Sequence, residues 1–561
     1  MATARYEDRI LATTTTGGHA VTLFEPHNGV CNAGILFLLP ALLLQGILKT
    51  KEVYQFPAKH YYGLEQIMLT LAFMALARIK NPEQLKQCKP GEIGRIIGLD
   101  RIPEVSCLRE KIKLLSDQKK AQELNNKLVD YWYKEEEEER MFMYIDGHVR
   151  IYFGSKANLP AKYVSRQKIC LNATTEYWVN DGKGLPVMMM MGQVTEKLPE
   201  MIELEIIPQM QKTVLLPLTQ QQPIVDKQEP VCTFIFDREC YEPAFFAKLW
   251  DKYRIAIITY RKNVKDKWDE CSFVSMEVKE LEHTITMNIC EQKTVLDGVP
   301  FREIRRLNAG GHQTSIVTTH PTINKAVVAG RMFGRWSQEN FFKYMIANYD
   351  FDKMTQFGTE KVDENKQIVN PPHRKLTQQI KKLKEKTNRL RADFVILTEK
   401  SIDAELTMIA GIESKQAQLI ESIEANEQQV LQLKTEKDKL PSHIKVIDMP
   451  EHTRYNKLKS ESKLLMNIIK MICYRAETSV ANILANYLMD NDDKRMLVKQ
   501  IIQNNADIYP DYENNTLTIT LHSLSAPRFN KAAEQLAELL NQTEIIFPNT
   551  NLRLIYKTTA L

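Results

Sequence analysis

Met141 to Gly154 reads MFMYIDGHVRIYFG, an apolar strand with one carboxylate, Asp146, set in its middle. Met143, Tyr144 and Ile145 precede the acid, and Val149, Ile151, Tyr152 and Phe153 follow it. A run that is apolar on both faces points to a central strand of a sheet. An acid in such a place needs a cationic partner, because an unpaired buried carboxylate is costly. The pattern recurs in Val231 to Glu239, VCTFIFDRE, where Asp237 closes an apolar run at the change from strand to loop. Two such strands side by side, about 4.8 Å apart, would bring both carboxylates to one metal site. A third acid, Glu339, lies in RWSQENFFKYMIANY, whose apolar residues Phe341, Tyr344 and Met345 mark a helix able to lay it over the strand ends. Any one strand aspartate is more often a hydrogen-bonded or strand-end residue; three acids in the order strand, strand, helix make the case together.

Outward from these segments, the chain has 561 residues, enough for several domains with cores of their own. Its net charge of +5 is only mildly basic, so a nucleic-acid surface has to come from local clustering. Nine cysteines are scattered without a C-x-x-C pair, which argues against a zinc site and a disulfide framework and for a reduced, cytoplasmic setting. GILFLLPALLLQGIL, residues 34–48, is too short for a membrane span and reads as a buried core helix. No phosphate-cradling glycine loop ending in Lys-Ser/Thr is present, so a nucleotide cofactor has no support.

The expected fold class is multidomain α+β. Residues 1–134 read as a loosely held start followed by a helical region, with a possible DNA-binding module where Lys86, Lys89, Arg95, Arg101, Arg109, Lys111 and Lys113 lie among short helices. Residues 135–357 hold the acids, beginning with a solvated run, Glu135 to Glu139. Within them, Asp181-Gly182-Lys183-Gly184 marks a hairpin turn, Met188 to Met191 a buried strand, and the alternating segments of about 264–311 an inserted small sheet. A linker, 358–372, leads to heptad-like helices over 373–441, read as a helical hairpin or coiled coil with Gly411 between its arms. Its first arm is basic from Arg374 to Arg391. Residues 442–561 alternate helix and strand as a small α+β unit.

Asp146 in YIDGHVRIY, Asp237-Arg238-Glu239 and Arg335-x-x-x-Glu339 resemble the motifs of DDE transposases of bacterial insertion sequences, in the branch with an Asp-Arg-Glu signature and a β-rich insertion before the last acid. The resemblance covers roughly 141–354. It implies an RNase H-like mixed-sheet core in which Asp146, Asp237 and Glu339 hold Mg²⁺ or Mn²⁺ and carry DNA cleavage and strand transfer. It further implies DNA contacts near the acids, with Arg335, Lys343, Arg238, Arg261 and Lys262 as candidates and Trp268 as the candidate for stacking on a base. Lys343 stands nearly one helical turn before the position where the branch has a lysine, which Ile346 occupies, and Met332 stands where the branch has a tyrosine. The implied partners are transposon-end DNA and target DNA, bound by a homodimer. The alternatives are an RNase H-like nuclease without strand transfer and a non-enzymatic coiled-coil DNA-binding protein. His148, on the same strand face as Asp146, reads as a packing residue.

Overall fold

A computed structural model of the chain describes all residues except 1–4, 15–18, 58–59, 135–140, 165–166, 193–196, 217–228, 281–282, 352–357, 403–405, 486, 489–490 and 560–561. The glutamate run at 135–139 therefore lies outside the described residues.

The acid-bearing segment forms strand β1 (Phe142–Ile151), followed by β2 (Ala161–Val164), β3 (Ile169–Asn180) and β4 (Pro186–Gly192). β3 pairs antiparallel with β1, β2 and β4. The turn between β3 and β4 closes because Asp181 accepts the Lys183 and Leu185 N–H groups at 2.9 and 2.8 Å, while Gly184 takes φ 81°, a left-handed conformation open to glycine. Met188 and Met189 are fully buried, as their continuous apolar run requires. β5 (Cys232–Ile235) lies parallel to β1, helix α1 (Pro243–Tyr253) crosses over, and β6 (Ile255–Tyr260) lies parallel to β5.

The β-rich segments expected as an inserted small sheet at about 264–311 are strands, and they are joined to the main sheet. β7 (Val274–Glu280), β8 (His283–Leu296) and β9 (Val299–Leu307) form an antiparallel meander, and β10 (Gln313–Thr318) pairs with both β9 and β6. The result is one continuous sheet in the order β2-β3-β1-β5-β6-β10-β9-β8-β7, with β4 also on β3. The reason is that β6 would otherwise be an edge with unpaired backbone groups; β10 covers it. Helices α2 (Lys325–Phe333) and α3 (Trp336–Tyr349) follow.

Beyond the sheet, Thr359–Lys361 pairs with Asn456–Leu458, and Gln367–Val369 with His443–Lys445. The segment read as a linker is thus half of a clasp that closes the root of a helical hairpin, α4 (Pro371–Ile402) and α5 (Leu406–Asp438). The arms run antiparallel, since Arg391 pairs with Glu427 while Thr398, later in α4, bonds Gln416, earlier in α5. Gly411 lies inside α5 rather than between the arms; residues 403–405, which separate α4 from α5 in the sequence, lie outside the described residues.

Helix α6 (Glu461–Leu484) is buried along most of its length. It packs against the N-terminal helices Leu39–Leu44, Leu64–Leu76, Val105–Asp117 and Ala121–Tyr133. The strand His27–Val30 pairs with Ala506–Asp511 and so completes a sheet with Thr516–Leu521 and Arg553–Thr558. The two ends of the chain therefore share one core with β1 and β3. The contact is close enough that a Cβ on Gly34 would stand 1.9 Å from the Ile501 carbonyl oxygen. Residues 34–42 and Ile47 are buried as expected, whereas Leu44 is 63 % exposed, and the stretch is not one helix: a short helix, Leu39–Leu44, lies between tighter turns at Ala33–Leu38 and Ile47–Glu52, with breaks near Pro40 and at Gly46 (φ 84°). Tyr6–Thr14, expected to be loose, is a helix held by Arg9 on Asp100 at 2.7 Å. No helix among the described residues is long and apolar enough to cross a membrane.

Candidate active site

The register of the central strands decides where the acids meet. β1 and β5 are parallel, with Tyr144 opposite Ile235. Carrying that offset two residues further sets Asp146 level with Asp237, on the same side of neighbouring strands, where the ladder between them ends. Asp237 caps a short turn, Arg238–Cys240, by accepting the Arg238 N–H at 2.7 Å. Asp146 accepts the Gly147 N–H at 2.9 Å.

Helix α3 brings the third acid. Its inner face buries Phe341, Met345 and Tyr349, and Phe341 lies against Trp178 of β3 with ring centroids 5.5 Å apart. Gln338 is fully buried and points its amide into the sheet, with Nε2 at 3.0 Å from Asn180 Oδ1, 3.3 Å from Tyr144 O and 3.4 Å from Trp178 O. That lock sits two residues from Asp146 and one residue from Glu339, so Glu339 is left on the open side of the helix above the strand ends. One turn earlier, the Arg335 guanidinium enters the space between the acids. It stands 3.7 Å from Asp146, 3.7 Å from Asp237 and 3.2 Å from Glu339. Three acids far apart in sequence thus converge on one cation.

A family model described as transposase protein matches residues 1–560. The chain belongs to this transposase family. No curated protein and no solved structure matches it. The match runs through the helical ends and the hairpin as well as the sheet, so those regions are part of what defines the family.

In this transposase the acids outnumber their counter-charge. Burial pushes the Asp146 carboxyl up to about 6; Arg335 and the Gly147 N–H pull it down, and Glu239 and Asp237 add to the rise. Glu239 is raised as well, by burial and by Asp237, against Lys162 and Lys262. Glu239 is a fourth acid of the site whose role the sequence reading left out, although its place in Asp-Arg-Glu was the available signal. Gln338 was missed too, and no local pattern distinguishes it. Among the described residues no three His, Cys, Asp or Glu side chains stand at metal-coordinating spacing; the acids are arranged around a guanidinium instead. Their chemistry still suits a hard divalent ion, since the donors are carboxylate oxygens with no thiolate or imidazole among them.

The other candidate residues divide. Arg238 lies over the Tyr260 ring at 5.5 Å and Lys262 near Tyr241 at 5.8 Å, both beside the Asp237 turn. Lys343 is exposed, and no ion pair joins it to Glu339. Arg261 is committed elsewhere, to buried Glu303 at 2.6 Å. The ring of Trp268 has the buried Arg305 guanidinium on one face at 4.2 Å, and Gln313 holds its backbone N–H and carbonyl. His148 stacks on Phe342, 5.3 Å between centroids, in the packed layer under α3. In the N-terminal region, Lys111 is buried and Arg109 is paired with Glu83, so those two are not part of a free basic face.

Proposed function

We propose that this transposase cleaves the ends of a mobile DNA element and joins them to target DNA, using Asp146, Asp237 and Glu339 as ligands for Mg²⁺ or Mn²⁺. The observation that carries the reading is the meeting of the three acids at the end of the β1/β5 ladder, around a single guanidinium. The sheet supports an RNase H-like core: an antiparallel β1-β3-β4 group with two parallel strands added on the other side of β1. When bound, the divalent ions would supply activation of a water or a 3′-hydroxyl and stabilisation of the leaving oxygen.

The chain's own residues account for the rest. Gln338 holds α3 to β1 and β3, and with it the distance between Glu339 and Asp146. The Gly147 N–H fixes one Asp146 oxygen and leaves the other facing the Arg335 guanidinium. Arg238 and Lys262 beside the Asp237 turn, and Lys343 on the exposed face of α3, are placed to neutralise phosphates next to the cut. Arg261 and Trp268, given their internal partners, rank below these.

Cleavage of linear DNA carrying matched inverted ends, incubated with a target plasmid and Mg²⁺, tests the proposal. Asp146→Asn, Asp237→Asn and Glu339→Gln are each expected to abolish cleavage and leave DNA binding nearly intact, because each keeps the shape and removes a metal-holding charge. Full cleavage by any one of the three would remove it from the ligand set. Joined products separate strand transfer from a nuclease that only nicks. Two ends have to be held together, so light scattering is expected to show a dimer once end DNA is added; a monomer with and without DNA would end the dimer expectation.

A further inference from the structure

Arg335 is an unusual neighbour for a metal site. Its side chain is only 11 % exposed, and both of its terminal nitrogens are turned to carboxylates. Yet the hydrogen bonding is poor. Only the Glu339 contact, at 3.2 Å, is of hydrogen-bond length; the Asp146 and Asp237 contacts at 3.7 Å are not. A well-formed guanidinium-carboxylate pair closes to about 2.7–2.9 Å. Its Nε is buried with no hydrogen-bond partner among the described residues. Among the described residues, no other cation comes within 4.0 Å of any of the three acids. One positive charge thus faces three carboxylates and, nearby, Glu239.

We propose that Arg335 is a displaceable internal counter-ion, holding the three acids together before metal arrives and leaving the site when metal enters. This rests on the reading of the acids as a metal site. The physical argument is one of competition. A divalent ion among the same oxygens would be repelled strongly by a guanidinium a few ångströms away. The guanidinium makes one proper hydrogen bond there, so little holds it when a better cation is offered. Arg335 is therefore a positioning residue: it sets the threshold at which the acids accept metal, and keeps three like charges from driving the β1/β5 end apart in its absence.

Mn²⁺ titration of the full chain, followed by electron paramagnetic resonance of the free ion, tests this without any reference to cleavage. A neighbouring guanidinium shifts a carboxylate's affinity for a proton by about 1–3 units. Its removal in Arg335→Ala and Arg335→Gln is accordingly expected to tighten Mn²⁺ binding by about tenfold or more, whereas Arg335→Lys, which keeps the charge, stays near the wild type. Melting curves run with and without Mn²⁺ identify folded variants, and in these Mn²⁺ is expected to raise the melting temperature more than in the wild type. Arg335→Gln, close in shape, serves if Arg335→Ala does not fold. Unchanged or weaker Mn²⁺ binding in folded Arg335→Gln overturns the proposal, as does equal tightening in Arg335→Lys. The underlying reading fails differently: Asp146→Asn would then bind Mn²⁺ as the wild type does, whatever stands at position 335.

Discussion

Asp146 on β1 and Glu176 on β3 are carboxylates of neighbouring strands with opposite charge balances. Glu176, opposite His148 in the ladder, is fully buried, with Arg150 at 3.4 Å and Lys463 of α6 at 3.9 Å. Burial alone would raise its pKa, but Lys463, Arg150 and His148 outweigh burial and hold it below the usual range. Lys470, also buried on α6, faces the same cluster, and burial lowers its pKa to about 8 against the pull of Asp350 and Glu176. At Asp146 the sign reverses: burial pushes the carboxyl up to about 6, Arg335 and the Gly147 N–H do not outweigh it, and Glu239 and Asp237 add to the rise. The buried acid has more cations than it needs and ties α6 to the sheet. The acid at the sheet's end has too few, which leaves it ready for an added cation.

The sharpest way to break this contrast is Glu176→Gln. Arg150 and Lys463 would lose their buried counter-charge, and removing one partner of such a group costs about 3–5 kcal/mol. Denaturant unfolding is expected to show a loss of that size, and a loss under about 1 kcal/mol would erase the distinction. Asp146→Asn should act in the other direction. In metal-free buffer at pH 7 it removes a charge that the fold disfavours, for a gain of about 1–3 kcal/mol.

The pH dependence separates the two acids further. Asp146 titrates at about 6 in the folded chain, against about 4 unfolded. Its cost is thus fully present above pH ~6, shrinks as pH falls, and is gone below pH ~4. The advantage of Asp146→Asn should disappear over that window. The contribution of Glu176, whose folded pKa is lowered, is present above the ordinary carboxylate value and lost as pH falls through its folded value. Parallel pH profiles for the two variants would contradict the comparison. The smallest effect belongs to Lys343. Lys343→Ala should leave stability within about 0.5 kcal/mol, yet reduce the slope of log affinity for end DNA against log salt by about 0.9 if Lys343 contacts one phosphate. An unchanged slope would move the DNA grip elsewhere, with the basic arm from Arg374 to Arg391 the next place to test.

Where periodicity is local, the chain was legible. The apolar run around Asp146, the Asp-Gly-Lys-Gly turn, the Met188 strand and the heptads of α4 and α5 each carry their structure in neighbouring residues. The Arg335–Glu339 pair was legible as well, since four residues make one helical turn. The reach of Arg335 to Asp146 and Asp237 was not, because it depends on where α3 lands on the sheet, and Gln338 decides that through bonds to β1 and β3.

By itself, then, the sequence marked the strands that carry Asp146 and Asp237, the helix that carries Glu339 and the two heptad helices, because hydrogen-bonding patterns and apolar periods are properties of a few consecutive residues. Only the tertiary structure decided which charges those acids meet, that the meander of β7 to β9 extends the main sheet, and that the chain's two ends share a core through α6. The physical reason is that a buried charge or an open strand edge must be satisfied by whatever packing brings near it, and for Glu176 that partner, Lys463, comes from far along the chain.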